Sequence, residues 1–265
     1  MRVRVLVLTG FGINCDYETA FAFKKAGAAA ERIHLNDILE TPRMLDDYHI
    51  FVVPGGFSFG DDIASGKILA NRLRYRLGIE LTAFVESGKL VLGVCNGFQV
   101  LTKMGMLPRT KGRLEQETTL VWNDSGRFED RWVSLRVAAQ TACVWLQGLD
   151  RLELPVRHGE GKFIARDATV MEDMERRGMI ALKYVTRDGE PARGKYPDNP
   201  NGSINDIAGI CDPSGRIFGL MPHPEGHIVR TQHPRWTRDL SVDPSSDGIG
   251  LEIFRNAVRY VEQNL

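Results

Sequence analysis

Cysteine is scarce in this chain of 265 residues: Cys15, Cys95, Cys143 and Cys211 are all there are. None forms a C-x-x-C pair and they lie far apart, which argues against a zinc ribbon or a dense disulfide frame. Net charge is lacking as well. Lys+Arg and Asp+Glu both count 34, so a general electrostatic hold on nucleic acid or an anionic membrane is disfavoured. The opening Met1–Leu8 stretch is apolar but split by Arg4, and it is too short for a signal peptide or a membrane span. No phosphate-loop pattern G-x-x-x-x-G-K-[ST] occurs, because Gly66-Lys67 is followed by Ile68. There is no internal repeat, low-complexity tract or long linker. The expectation is a reduced, cytoplasmic protein with neither nucleic acid nor membrane as partner, folded as one domain over residues 1–265. Its hydrophobic content of 43% is enough for a full core.

What is present is a regular alternation of apolar runs and helical patterns. Val3–Leu8, Ile33–Leu35, Ile50–Val53 and Leu90–Val94 read as strands. Asp16 can cap a helix running to Gly27. The spacing of Ile63, Ile68, Leu69, Leu73 and Leu77 predicts a helix from about residue 62 to 77, and another runs from about Gly97 to Met104. This alternation implies an α/β three-layer sandwich, with a mostly parallel central sheet flanked by helices. The middle changes character: Thr118–Trp122, Trp132–Val137 and Ile164–Ala165 look like shorter strands of a β-rich insertion, and Asp188–Ser203 reads as a loop. Strands resume at Ile207–Ile210 and Ile217–Leu220. An amphipathic helix carrying Ile249, Ile253, Phe254, Ala257, Val258 and Val261 closes the chain.

Reactive loops in such folds sit at the carboxyl ends of the strands. Gly93-Val94-Cys95-Asn96-Gly97 has the form G-x-C-x-G between a strand and a helix, the thiol counterpart of a nucleophile elbow. The glycines permit a tight turn, and the helix start offers free N–H groups that favour an anionic sulfur. A lone cysteine here would read as a small core residue; its setting shifts the reading to nucleophile. The other three lack that setting and read as structural, although Cys15 lies in a Gly-rich loop that can face the same rim. A thiol attacking an amide needs a base that later protonates the leaving amine. Among the six histidines, His223 follows the apolar run ending at Leu220, and Glu225 can orient its imidazole. A metal site from His223 and His227 is disfavoured, because Pro224 and Gly226 break the helix that would align them. Pro54-Gly55-Gly56-Phe57 can turn backbone N–H groups toward a developing oxyanion, with Gly56 or Phe57 working beside Asn96; a plain surface turn is the other reading. Gln99, one turn after Cys95, can meet an amide substrate or cap a loop. His158-Gly159-Glu160-Gly161 can bind substrate or merely turn the chain.

Taken together, Gly-Val-Cys95-Asn-Gly-Phe-Gln99, the Pro54–Asp61 stretch and Met-Pro-His223-Pro-Glu225 resemble the class I glutamine amidotransferases. More narrowly, Asn14-Cys15-Asp16, Pro155–Gly161 and Asn199–Ser203 resemble the glutaminase subunits of phosphoribosylformylglycinamidine synthase. The likeness spans about residues 3 to 260. It implies Cys95 as nucleophile, His223 and Glu225 as the rest of a triad, an oxyanion hole at Gly55-Gly56 and glutamine as substrate. It also implies a synthetase subunit and a small third subunit as partners, in purine biosynthesis. No cofactor is expected in this chain; ATP and magnesium are expected at the synthetase. Gly226 departs from the Arg of many relatives, and about Gln232–Pro244 looks like extra length. Three other readings stand beside this one: the glutaminase of another amidotransferase, a cysteine hydrolase or stress-response thiol protein on the same scaffold, and a non-catalytic docking module.

Overall fold

The computed structural model describes residues 2–238 and 241–265. Strand β1 (Arg4–Thr9) leads through a glycine-rich loop into helix α1 (Asp16–Lys25), and β2 (Ala29–His34) is followed at once by α2 (Leu35–Glu40). Then come β3 (Ile50–Val53), α3 (Lys67–Glu86), β4 (Leu90–Val94) and α4 (Asn96–Met104). The middle holds β5 (Thr118–Val121), β6 (Glu129–Val137), β7 (Arg151–His158), β8 (Lys162–Ala165), α5 (Ala168–Arg176) and β9 (Ile180–Val185). The chain ends with β10 (Ile207–Cys211), β11 (Ile217–Leu220) and α6 (Leu251–Asn264).

Nine strands form one sheet in the order β2-β1-β3-β4-β11-β10-β9-β6-β7. The first five run parallel, and every pairing from β11 to β7 is antiparallel. The expected three-layer α/β architecture is therefore present, but the β-rich section is only partly an insertion. Its strands β6, β7 and β9 extend the main sheet, while β5 and β8 make a separate two-stranded ribbon. The antiparallel half curls back. Although β7 is last in the sheet order, Pro155 O on it accepts a hydrogen bond from His223 N at 2.8 Å, close to the parallel half.

Buried aliphatics account for the parallel half: Val5–Leu8, Ile50–Val53 and Leu90–Leu92 are all fully inaccessible. Phe23 of α1 meets Phe254 of α6 edge-on at 4.9 Å, whereas α3 packs against α4. Along α3, Leu69, Leu73, Leu77 and Leu81 line one buried stripe, each stabilising by about 2 kcal/mol through burial. That helix starts later than its apolar spacing suggests, at Lys67 rather than 62, because Asp61 and Ile63 take left-handed φ values of 56° and 73°. It also runs on to Glu86. Strand β2 begins four residues before Ile33 and stops at His34, whose imidazole Nδ1 accepts a hydrogen bond from Asn36 N and caps α2. Strand β7 contains Pro155, which a ladder tolerates only at an edge, and β7 is an edge strand.

Part of the extra length is tied to β7. Glu153 receives His233 Nε2 at 2.7 Å and Arg235 Nη2 at 3.0 Å to both carboxylate oxygens. The Trp132 ring stands edge-on to His227 and His233. Of the segment 232–244, residues 239 and 240 lie outside the described residues. Among the described residues no helix is long and apolar enough to cross a membrane.

Candidate active site

Because β1, β3, β4 and β11 are adjacent and parallel, the loops after all four open on one edge of the sheet. Leu220 pairs with Val94, and Cys95 N donates to Leu220 O at 2.8 Å. The β4 elbow and the β11 loop therefore leave the sheet side by side, which brings Cys95 and His223 together.

Cys95 sits at φ 50°, ψ −104°, a strained conformation for a residue with a side chain. The elbow closes only because its neighbours lack Cβ atoms. One added at Gly97 would lie 1.8 Å from Val53 O, and one at Gly93 would lie 2.7 Å from the Gly97 carbonyl group. The turn places the sulfur at the start of α4, a helix buried along its whole length. In this conformation Cys95 Sγ points to Arg157 O at 3.5 Å.

His223 Nδ1 meets Glu225 Oε1 at 2.5 Å, with both side chains almost wholly buried. Burial alone would lower the imidazole pKa, but the Glu225 charge and then Cys95 outweigh it, and the net direction is well above the ordinary value. The protonated ring is thus favoured. Nε2 of His223 and Oε2 of Glu225 are buried without a well-formed hydrogen bond among the described residues. Cys15 shares this site: its Sγ, an imidazole nitrogen of His223 and a Glu225 oxygen all lie within 4.8 Å of one another. These three are metal-binding residue types. The 2.5 Å contact, however, is a hydrogen bond, shorter than two ligands on one ion would approach, and a cation would have to break it.

The Gly55-Gly56 turn is fastened to the loop after β1. Gly55 O accepts from Asn14 N and Cys15 N at 3.2 and 3.1 Å, and Phe57 N donates to Gly12 O at 2.8 Å. Of the alternative donors Gly56 and Phe57, the Phe57 amide is therefore occupied. The Gly56 amide and the Asn96 main-chain amide at the helix start make no hydrogen bond among the described residues.

Asn96 and Gln99 lie on the same side of α4, but their side chains face protein. Asn96 Oδ1 accepts from Ser58 N at 3.2 Å, and its Nδ2 donates to Gln99 Oε1 at 2.9 Å. Gln99 Nε2 donates to Glu160 O at 2.6 Å, which ties the 158–161 loop to α4. His158 and Gly159 reach the rim from the end of β7. Asn123 braces that turn: its Oδ1 meets His158 Nδ1 at 3.1 Å and Gly161 N at 2.9 Å. Burial and then the His223 charge push the His158 imidazole down to about 3, so it stays neutral.

Sequence reasoning left Asn123 and Tyr184 without a role and placed Cys15 only on the rim. Asn123 carries no flanking motif. Tyr184 lies in β9, a strand the sequence reading did not pick out. Its phenol is raised by burial, with Cys95 among the charges acting on it, and it accepts a hydrogen bond from Asn201 Nδ2 at 3.1 Å. The 199–203 stretch, expected as loop, is buried: Ser203 Oγ donates to Gly161 O at 3.3 Å and accepts from Phe163 N at 2.9 Å. Gly226 backs onto β7, where an added Cβ would lie 2.7 Å from Pro155 Cγ. A larger residue would press on the strand that anchors His223.

The site is nearly sealed, with Cys95, His223 and Glu225 exposed by 5, 2 and 4%. A cavity of about 890 Å³ lies elsewhere, between the ends of β6 and β9 and the 140–150 turn. It shares none of the three side chains, and their chemistry weighs more than its volume.

Comparison with known proteins agrees with this fold. Residues 2–261 match the CobB/CobQ-like glutamine amidotransferase domain family. The chain belongs to the glutamine amidotransferases, the class of enzyme that such a fold and site define. Within that class it belongs to the family of phosphoribosylformylglycinamidine synthase PurQ subunits. It is 45% identical to the subunit of that name from Dehalococcoides mccartyi over 264 residues, covering 99% of both chains. To that from Methanococcus maripaludis it is 44% identical, covering 97% of both. A solved structure, of PurLQS from Thermotoga maritima, superposes with a TM-score of 0.71 at 28% identity, over 98% of this chain and 100% of that one.

Proposed function

We propose that this chain is the glutaminase of a phosphoribosylformylglycinamidine synthase, with Cys95 as nucleophile, His223 as proton carrier and Glu225 as its orienting carboxylate. The observation that carries the reading is the His223–Glu225 pair, bonded at 2.5 Å, on the sheet edge where the Cys95 elbow also opens, with Cys95 N bonded to Leu220 O at the end of the strand that leads to His223. The Cys95 sulfur attacks the side-chain amide carbon of glutamine and forms a C–S bond. The amides of Gly56 and Asn96 receive the developing oxyanion. His223 gives its proton to the leaving nitrogen, the C–N bond breaks and ammonia departs. Water, deprotonated by His223, then releases glutamate. Glu225 holds one imidazole nitrogen so that the other faces the sulfur. His158 and Gly159 line the glutamine side of the site, with Gly55 and Phe57 shaping the opposite wall.

The sealed site fits a subunit that opens productively only in a complex. Ammonia passes to a synthetase subunit that uses ATP and magnesium to convert formylglycinamide ribonucleotide to its amidine, in a cytoplasmic assembly with a small third subunit. The unbroken sheet supports reading residues 1–265 as one amidotransferase domain. The test is reconstitution with the synthetase. Cys95→Ala abolishes glutamine-dependent amidine formation and leaves the ammonia-dependent reaction intact; loss of both reactions rejects the division of labour.

A further inference from the structure

Cys15 has no part in the scheme above, yet its sulfur lies within 4.8 Å of both the His223 imidazole and the Glu225 carboxylate. Gly55 is what lets it approach. A Cβ there would lie 3.2 Å from Cys15 Sγ and 2.8 Å from His223 Cε1, so only a residue without a side chain leaves sulfur and ring in the same space. The elbow that carries Cys95 leaves the sheet beside the loop that carries His223, its amide bonded to Leu220 O at 2.8 Å, and Cys95 is among the groups that raise the His223 imidazole. His223 Nε2 and Glu225 Oε2 are buried with no well-formed partner among the described residues. Two thiols thus flank one ring, one nearly sealed and the other partly accessible.

We propose that Cys15 is the resolving thiol of Cys95, closing a Cys15–Cys95 disulfide when a peroxide oxidises the nucleophile. This rests on the reading of Cys95 as the reactive sulfur. Any opening that admits glutamine also admits the smaller hydrogen peroxide. The Cys95 sulfur attacks one peroxide oxygen; the O–O bond breaks, an S–O bond forms, and hydroxide leaves carrying the electron pair. Sulfur is oxidised and peroxide reduced by two electrons. Cys15 Sγ then attacks the sulfenic sulfur; the S–S bond forms, the S–O bond breaks, and the departing oxygen takes the Cys15 proton as water. A dithiol reverses the bond by exchange. Burial pushes the Cys15 thiol up, though His223 offsets part of that. A raised thiol leaves the first attack on peroxide to Cys95, and Cys15 gives up its proton only as it attacks the sulfenic sulfur. The outcome is a site switched off reversibly and protected from irreversible oxidation to the sulfinic acid.

The test is to expose the intact protein to hydrogen peroxide, map peptides without reduction, and measure activity in the reconstituted complex before and after dithiol treatment. The expected result is a linked Cys15–Cys95 peptide lacking two hydrogens, with glutamine-dependent activity lost and then recovered. In Cys15→Ser, each activity taken relative to the untreated variant, dithiol restores little, and Cys95 carries two added oxygens. Absence of the linked peptide in the wild-type protein overturns the proposal, and so does equal recovery in Cys15→Ser. A Cys143–Cys211 link with Cys15 left free also overturns it. The peptide map needs no turnover, and labelling of Cys95 by a glutamine analogue reports on the nucleophile separately, so failure of one reading is distinguishable from failure of the other.

Discussion

His223 carries the greatest chemical demand of any single residue, since it must take up and return a proton while buried. Replacing it by Ala should lower glutamine hydrolysis by about 10²–10⁴-fold, the usual contribution of a positioned acid–base group. Glu225→Gln should lose less, and it carries a pH signature. The Glu225 charge raises the imidazole pKa; without it His223 deprotonates at lower pH, so the alkaline limb of kcat/KM should move to lower pH. An unmoved limb would remove Glu225 from that role. His158 is perturbed the other way, from 6.5 to about 3. The unfolded chain takes up a proton below pH 6.5 that the folded chain refuses, so stability falls with pH from there toward 3, by about 1.4 kcal/mol per pH unit. His223, protonated in the folded state throughout, adds an opposite slope only near pH 6.5, where the unfolded imidazole is still partly neutral, and it does so equally in wild type and variant. Urea unfolding of His158→Gln between pH 6.5 and 4.5 should therefore be flatter than that of the wild type by about that slope; parallel curves would contradict the assignment. Cys95, His223 and Glu225 were legible at this scale because each lies in a motif with its own chemical logic. For Cys15 only the rim position was legible, because its neighbour His223 is more than two hundred positions away.

At the scale of elements, the elbow depends on two glycines more than on any side chain. Gly97→Ala would drive a methyl into Val53 O, 1.8 Å from its ideal position, so β3 and α4 must separate. The expected loss is about 3 kcal/mol or more, read as a lower melting temperature. Gly78→Ala is the contrast. It lies inside α3 with only a Leu114 methyl group at 3.1 Å, and the gain in helix propensity should raise stability by about 0.5 kcal/mol. Equal effects at the two sites would count against close packing as the reason for the elbow glycines. Strands β1, β3, β4, β10 and β11 were readable because they are apolar runs buried on both faces. The start of α3 was not, since Ile63 fits the helical spacing yet is 88% exposed on a left-handed turn. Nor was β7, whose Pro155 reads as a strand breaker unless its edge position is known.

For the whole molecule, what decides the site is that a curled sheet returns its last strand to the rim of its first half. No local pattern encodes that return. It follows from long-range pairing of β6 with β9 and β7, and from hydrogen bonds such as His223 N to Pro155 O. The parallel half, the three candidate residues and the 158–161 patch are therefore legible in the sequence, while the packing of that patch against residues 199–203 appears only in three dimensions. The most direct measurement is covalent labelling of the reconstituted complex with an electrophilic glutamine analogue. One label per chain should appear on Cys95, glutamine should block it, and His223→Ala should slow it. Labelling at another residue, or labelling of Cys95 that ignores both glutamine and the loss of His223, would contradict the account.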